Sequence, residues 1–572
     1  MELTRTPDVE FPAYTFVPNG FDPTDVEAVK LLAGELQGRA IDTADDLRRW
    51  MYDWSEMASA VYGAYARGFT AMNRDTKSEE KKNANLAFMR DVLPMWQTLE
   101  NELNNALLDS PHLAELDDSF ELLLGERRVD RELFREENTA LHAEDRALNA
   151  RYQEIQGGLA VELRGESMTV QQAGARLSDP DRALREEAFR AIYEARAPAA
   201  EEIDSIYDKQ IELRAQVARN AGYDNFRDFK FKSMHRAYAP QDCETFHAAI
   251  AEVVVPAVRE CFEHRRNVLG LDPLRPFDAD VSLFGARTDV LFDSQERYVD
   301  LVQRIFRSID PIFERDFDVL VRNELLDLMS RPGKSPGGYN CPIEDIRLPF
   351  IFFNAVGRRE DLRVMLHEGG HAFHTLATRG MPLIDYRRAP TEFCEVASMS
   401  MEMFGNERLR EVMSDDEARE IEYRQLEGVL GVFLSVARMD AFQHWIYTTD
   451  DASAEKRYEK WDELSEVYGT GTVDWSGYEH VRRSQWQRVP HLFGMPFYYV
   501  EYAIAQIGAL QMWQKEKLDH DGTVVSYRES LALGGSRPLP ELFEAAGIRF
   551  AMDREILEQV IPPVVDRLRE LR

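Results

Sequence analysis

Along most of the chain, hydrophobic residues recur every three or four positions, which is the period of an amphipathic helix. The segment from Thr43 to Thr70 follows this pattern, and Thr43 with Asp46 is typical of a capping box at a helix start. The same period predicts helices at residues 129–156, 205–219, 241–264, 296–330 and 415–445. The pattern therefore predicts a mainly α protein.

One segment has the composition of a strand. Residues 346–357, IRLPFIFFNAVG, are rich in β-forming side chains and follow a turn-rich stretch at 331–340. Pro349 cannot donate to a sheet ladder, so we expect an edge strand or the start of a strand. An edge strand could pair with an extended peptide, whereas a core strand would only support the helix predicted at 361–379. Both interpretations stay open, and a small sheet is expected next to that helix.

Composition narrows the class of protein. The chain has 572 residues, which is long enough for more than one core. Its 69 basic and 102 acidic residues give a net charge of -33, which argues against nucleic acid as a partner. The sequence shows no signal peptide and no apolar run of the roughly 18–20 residues that cross a bilayer. Four scattered cysteines without a CxxC pair favour a reducing compartment, so we expect a cytoplasmic protein without membrane contact.

The segment VMLHEGGHAFH could form a metal site on a helix. On a helix, His367 and His371 lie one turn apart, roughly 6 Å along the axis, and can reach one metal ion. Glu368 lies about 100° around the helix from His367 and is placed to take a proton from an attacking water. Gly369 and Gly370 each weaken a helix by about 0.8–1 kcal/mol, so we expect that a substrate or a neighbouring element comes close to them. The alternative is an ordinary helix that happens to carry histidines.

A metal site needs a third ligand. A metzincin would have glycine and histidine where this chain has His374 and Ala377, so that class is excluded. The predicted helix at 390–405 carries three carboxylates, which are costly to bury unless a positive charge lies opposite them. These candidates are Glu392, Glu395 and Glu402.

These two helices carry a family resemblance. HEGGHAFH followed by TEFCEVAS resembles the HExGHxxH signature and the downstream glutamate helix of the thimet oligopeptidase and oligoendopeptidase F family. Further similar segments, among them GGYN, FIFFN, PFYYVEYA and LALGGSRPLPELF, follow in the family's order over residues 175–550. The length of the chain and PFYYVEYA are closer to the bacterial oligoendopeptidase branch. Residues 1–170 are similar to the family only in being helical.

The resemblance implies a ligand set. Glu395 stands where the family has its third zinc ligand, so one Zn²⁺ per chain is expected on His367, His371 and Glu395. Cobalt or manganese could also occupy such a site of two nitrogens and one oxygen. Glu392 and Glu402 are expected to orient the ligands, and His374 to pack behind them.

The resemblance also implies substrate-binding residues downstream. His491 and Tyr502 align with a histidine and a tyrosine that hydrogen-bond the substrate carbonyl oxygen in the family. The family's other tyrosine falls near Met495 by spacing, so Tyr498 or Tyr499 would have to replace it. From the residues alone, an aromatic core stripe is the favoured interpretation, and only the family resemblance favours substrate contacts.

The expected fold is a mainly α, two-lobed helical zincin with a deep substrate channel. We expect an N-terminal helical region at 1–175 and a catalytic region at 176–572. The implied activity is zinc-dependent hydrolysis of internal bonds in short oligopeptides, with catalytic Glu368, Tyr502 and His491. The expected strand would hold the substrate backbone, with these further contact residues: Phe352, Asn354 and Gly338.

Two other functions stay open. A carboxypeptidase or dipeptidyl-carboxypeptidase would need a cation for the substrate C-terminus, and Arg482, Arg483 and Arg488 are candidates. A non-catalytic peptide-binding protein would carry the HEGGH string by accident. The sequence does not indicate an oligomeric state.

Overall fold

The computed structural model describes residues 14–285 and 290–572, and helices dominate them, so the predicted mainly α fold is confirmed. The elements before residue 286 are α1 Val26–Gln37, α2 Ala44–Arg74, α3 Glu79–Ala87, α4 Leu93–Leu108, α5 Glu121–Leu133, α6 Asn138–Gly157, β1 Ala160–Leu163, β2 Glu166–Thr169, α7 Val170–Gly174, α8 Arg182–Arg196, α9 Ala200–Asn220, α10 Phe226–Ser233 and α11 Pro240–Leu269. The elements after residue 289 are α12 Gln295–Ile309, α13 Pro311–Arg322, β3 Leu326–Met329, β4 Tyr339–Ile343, β5 Leu348–Ala355, α14 Arg359–Thr378, α15 Ile384–Arg387, α16 Thr391–Asn406, α17 Asp415–Thr448, α18 Ala454–Val467, α19 Glu479–Ser484, α20 Pro490–Gly494, α21 Val500–Leu518, α22 His520–Leu531, α23 Leu539–Ala545 and α24 Arg554–Leu571.

The chain folds into two compact units, each built from three separate segments. The first unit consists of Met1–Arg131, Val290–Ile421 and Gly508–Phe550. The second unit consists of Glu132–Asp289, Glu422–Ile507 and Ala551–Arg572. The predicted functional boundary between residues 175 and 176 stays a prediction.

The first unit has its apolar core among its N-terminal helices. Trp50 and Trp54 of α2 and Trp96 of α4 are buried in it. The predicted helix start is confirmed, because the Thr43 side chain accepts a hydrogen bond from the amide of Asp46. None of the helices in the part of the chain that the structure describes combines the length and the apolar character needed to cross a membrane.

The first unit also contains a three-stranded sheet in the order β3-β5-β4. β5 pairs in parallel with β3 and antiparallel with β4, so it is the central strand. The predicted edge strand is therefore wrong, and the alternative of a core strand is correct. Pro349 is tolerated because it lies near the start of β5, opposite Pro342.

The helix predicted at 296–330 is interrupted at Asp310, and the helical structure ends at Arg322 and not at residue 330. The structure has two helices there, α12 and α13, followed by strand β3. Asp310 ends the first helix in an extended conformation and caps the second through the amide of Ile312. Pro311 follows at the first position of the second helix, where a backbone N–H would have no partner within the helix, so the lack of one in proline costs nothing.

In the described residues, the second unit is helical apart from one β-hairpin. β1 and β2 pair antiparallel, and Arg164 and Gly165 between them both have positive φ, as a tight two-residue turn requires.

The helix predicted at 129–156 is interrupted, because α5 ends at Leu133 and α6 begins at Asn138.

Candidate metal centre

Asp361 fixes the start of the histidine helix α14. One carboxylate oxygen of Asp361 accepts hydrogen bonds from the amides of Val356, Gly357 and Arg358, each at 2.9 Å. These amides precede the helix and have no partner within it, so the carboxylate satisfies three donors at once. The helix therefore begins four residues after the end of β5, in a position set by the sheet.

Helices α14 and α16 pack with almost no side chain between them at one point. A Cβ on Gly370 would lie 2.5 Å from the Cα of Ser398 and 2.6 Å from the carbonyl oxygen of Ala397. A Cβ on Gly369 would instead meet the ring of Phe306 at 2.5 Å. The expectation of a close neighbouring element is confirmed, because α16 approaches Gly370 and Phe306 approaches Gly369.

This close packing brings the three predicted ligands together. Ligand atoms of His367, His371 and Glu395 all lie within 4.8 Å of one another. Oε2 of Glu395 is 3.4 Å from Nε2 of His367 and 3.7 Å from Nε2 of His371. Donors held tetrahedrally about 2.0–2.1 Å from a zinc ion are separated by about 3.3 Å. The donor set and its spacing therefore fit Zn²⁺, and a zinc ion would supply Lewis acidity that activates a water and the scissile carbonyl.

Glu402 orients one of these histidines. Nδ1 of His367 donates to Oε1 of Glu402 at 2.7 Å, and Arg363 donates to the other carboxylate oxygen at 3.1 Å. Burial opposes a charge on His367, but Glu402 and Glu395 raise its pKa to about 9. Burial also opposes the charge on Glu402, yet Arg363 and His367 hold its pKa below the usual range. Glu402 thus makes the contact with His367 that its predicted orienting role requires, while the role itself stays a prediction. Arg363 was not predicted, because it lies one turn before the motif.

Glu368 is buried on the same helix with only 7% of its surface exposed. Burial raises its pKa to about 7, as do the carboxylates of Glu395 and Glu402, while His367 lowers it. Its carbonyl oxygen accepts a hydrogen bond from the side chain of Asn340 in β4 at 3.4 Å. A carboxylate whose pKa is close to neutrality can both accept and return a proton.

His374 has the packing position that was expected. It is 4% exposed, and its ring contacts Phe393 edge to face at 6.2 Å between centroids. Burial lowers its pKa to about 3, so the ring is neutral. Glu392 is buried as well.

The predicted substrate-binding aromatic residues gather in the second unit. The ring of His491 lies 5.8 Å from Tyr498, 4.9 Å from Tyr499 and 6.0 Å from Tyr502. Phe497, directly before them, has a φ of 67°, a strained conformation that a hydrogen bond from its amide to Gln443 holds at 2.7 Å. The helix begins at Val500, so Tyr498 and Tyr499 precede it and lie in the turn that contains Phe497.

A cavity of about 340 Å³ lies beside this cluster in the second unit. Its lining includes His491, Tyr499 and three arginines: Arg196, Arg438 and Arg488. Burial, with the charge of Arg488, lowers the pKa of Arg438 to about 10.

Only one of the three arginines predicted from the sequence lines this cavity. Arg482 is paired with Asp462 and Glu466, and Arg483 with Glu455. Of the predicted arginines, only Arg488 lines the cavity. The sequence did not indicate Arg196 and Arg438, because they lie on α8 and α17, in distant parts of the chain.

The residues expected to hold the substrate backbone have different environments. Phe352 is fully buried and stacks on Tyr339 at 4.9 Å. The side chain of Asn354 donates to the carbonyl oxygens of Ser335 and Gly337, so it fixes a turn. A Cβ on Gly338 would meet Phe353 at 2.6 Å. Their predicted contacts with substrate stay predictions.

Comparisons with known proteins identify the family of this chain. Residues 175–560 match peptidase family M3, and residues 19–124 match the peptidase M3 N-terminal domain. The chain therefore belongs to peptidase family M3, and the predicted family is confirmed. The N-terminal region, which carried no sequence resemblance beyond its helices, also matches the family.

Individual relatives specify the branch. The group B oligopeptidase PepB of Streptococcus agalactiae is 23% identical over 57% of this chain and 53% of its own. An oligoendopeptidase F homolog of Lactococcus lactis is 23% identical over 65% of this chain and 61% of its own. The aligned chain thus spans between half and two thirds of these relatives. The structure of Pz peptidase A with an inhibitor superposes with a TM-score of 0.89 at 24% identity, over 97% of this chain and 99% of that one, and has the same fold.

Proposed function

We propose that this protein is a zinc-dependent endopeptidase that hydrolyses internal bonds of short oligopeptides. The observation that carries the proposal is the convergence of His367, His371 and Glu395 around a point flanked by buried Glu368, in a chain of family M3. The relatives are oligopeptidases by name, which supports peptides as substrates. A cytoplasmic location stays a prediction.

Different residues would bind the metal, transfer the proton and stabilise the oxyanion. His367, His371 and Glu395 would hold the metal, and Glu402 with Arg363 fixes the ring of His367 through Nδ1, which leaves Nε2 available as a ligand. Glu368 takes a proton from the attacking water and returns it to the leaving amine nitrogen. By the family resemblance, Tyr502 and His491 donate hydrogen bonds to the oxyanion.

The strand that would hold an extended substrate is β4 and not β5. One edge of β4 pairs with β5, and no strand in the described ranges pairs with the other. Asn340 of β4 contacts the backbone of Glu368, so a peptide added along this edge would run next to the reacting carboxylate. Gly338 lies directly before β4 and retains its proposed contact with substrate on this basis.

The decisive experiment compares Glu368→Gln with the parent protein. We expect the variant to retain its metal while the cleavage rate of peptides falls by about 10²–10⁴. Glu360→Gln, the same change in the first turn of α14, serves as a matched control and should leave the rate unchanged. Digestion of a peptide mixture with and without a chelator, read by mass spectrometry, should show internal cuts that disappear with the chelator. A fully active Glu368→Gln variant would exclude the proposed mechanism.

The cavity favours a second candidate, a carboxypeptidase or dipeptidyl-carboxypeptidase. Arg196, Arg438 and Arg488 around one cavity could bind the C-terminal carboxylate of a peptide. Peptides with an amidated C-terminus separate the two functions. An endopeptidase cuts the amidated and free forms at the same bond, whereas an exopeptidase loses its activity on the amidated form.

A further inference from the structure

The second unit contains another cluster of metal-binding side chains. Cys243 and His247 lie one turn apart on α11, and Asp440 and His444 lie one turn apart on α17. All four are buried, with exposed fractions of 0%, 6%, 0% and 5% in that order. Ligand atoms of Cys243, Asp440 and His444 lie within 4.8 Å of one another. Two helices thus present four potential ligands to each other.

The hydrogen bonds of this cluster are incomplete. Nε2 of His247 donates to Oδ2 of Asp440 at 2.8 Å. Nε2 of His444 is 3.3 Å from the same oxygen but lacks hydrogen-bond geometry. Within residues 14–285 and 290–572, neither Oδ1 of Asp440 nor either ring nitrogen of His444 has a hydrogen-bond partner. A buried polar group without a partner costs about 1–3 kcal/mol, so these three atoms require an explanation.

The surroundings leave few protein groups that could complete the cluster. The ring of His444 contacts the edges or faces of Phe231, Phe497 and His247 at 5.5–5.6 Å between centroids. The nearby cation, Arg236, forms an ion pair with Glu501 at 2.9 Å. A small species that accepts donation from sulfur, nitrogen and oxygen at once would satisfy these three atoms.

We propose that Cys243, Asp440 and His444 bind a structural Zn²⁺ ion that joins α11 to α17. Thiolate, imidazole and carboxylate are the ligands that zinc takes in proteins, and the two anionic groups would balance its charge. His247 is a positioning residue, because its bond to Oδ2 of Asp440 directs Oδ1 at the ion. This site shares no ligand with the centre on α14 and α16, and the proposal does not rest on peptidase activity.

The test uses the intact enzyme, prepared in a reducing agent and loaded with zinc or with cobalt. We expect two zinc ions per chain in the parent protein. We also expect a near-ultraviolet thiolate-to-cobalt charge-transfer band, because the ligand set of His367, His371 and Glu395 contains no sulfur. Cys243→Ser should lose one metal per chain and the band. Cys261→Ser, another buried cysteine on the same helix, should lose neither.

Two further variants separate binding from folding. His444→Gln should lose the same metal as Cys243→Ser, while His367→Ala should lose the other one and keep the charge-transfer band. Thermal unfolding of each variant shows whether it is folded. One zinc per parent chain without the cobalt–thiolate band would overturn the proposal, whether or not the variants fold. A Cys243→Ser variant that retains both metals would overturn it as well.

Discussion

Glu402 on α16 accepts a hydrogen bond at 2.7 Å from Nδ1 of His367 on α14. The bond fixes the tautomer in which Nε2 of His367 is free to face Glu395, 3.4 Å away. Burial opposes a charge on the ring, but Glu402 together with the charge of Glu395 raises the pKa of His367 to about 9, so the ring binds a second proton near neutral pH when no metal is bound. Glu402 therefore supports the candidate metal centre through His367, and Arg363 holds its other carboxylate oxygen.

Replacing Glu402 with glutamine tests this relationship. Zinc must displace the proton of His367, so near pH 8 the variant should release about one proton fewer per zinc than the parent protein. Its zinc affinity should fall by about 10–100-fold, because His367 loses its orienting partner. Calorimetry in buffers of different ionisation enthalpy measures both quantities. Glu411→Gln, at an exposed position after α16, is the control, and equal proton release from Glu402→Gln and the control would contradict the role.

Gly370 should be the least replaceable glycine of α14. In Gly370→Ala the new Cβ meets the backbone of α16, so we expect a loss of about 1–3 kcal/mol in the free energy of unfolding, and weaker metal binding. In Gly369→Ala the new Cβ contacts only the ring of Phe306, so the loss in the free energy of unfolding should be smaller. Gly34→Ala, at an exposed helical site with no neighbour, should gain up to about 1 kcal/mol. Urea unfolding measures this order, and a Gly370→Ala variant as stable as Gly34→Ala would refute it.

Tyr502 should act in turnover and not in metal binding. If its hydroxyl donates to the oxyanion, Tyr502→Phe lowers kcat by about 10²–10³ and leaves the metal content and KM nearly unchanged. Steady-state kinetics with metal analysis checks this. Tyr223→Phe, a partly buried tyrosine elsewhere in the second unit, should have no effect on kcat. A Tyr502→Phe variant that loses stability but keeps kcat would assign the residue to the core.

Glu100 should make the first unit more stable in mild acid. Burial raises its pKa to about 7, although Tyr62 donates a hydrogen bond to it at 2.6 Å. The folded state therefore binds more protons than the unfolded state between about pH 4.5 and 7, and stability falls as the pH rises through that window, by at most about 3 kcal/mol. Glu100→Gln should flatten this dependence, as measured by unfolding at about pH 5 and about pH 8. Glu80→Gln, an exposed site on α3, should not.

The sequence by itself determined the features that depend on residues close together in the chain. The helical period, the Thr43 cap and the one-turn spacing of His367 and His371 are properties of neighbouring residues, and all three hold in the structure. The choice of Glu395 required the family resemblance, since spacing alone offered three carboxylates.

Contacts between distant segments were decided only by the tertiary structure. The sequence left an edge strand and a core strand open for residues 346–357, and the pairing of β3 and β4 on either side of β5 decides for the core strand. The reason for Gly370 lies in the backbone of α16. Cys243 and His444 are about two hundred residues apart, and no periodic pattern links them; only the packing of α11 on α17 brings their ligand atoms together. Sequence periodicity reports which face of a helix is buried, but not which other helix covers it.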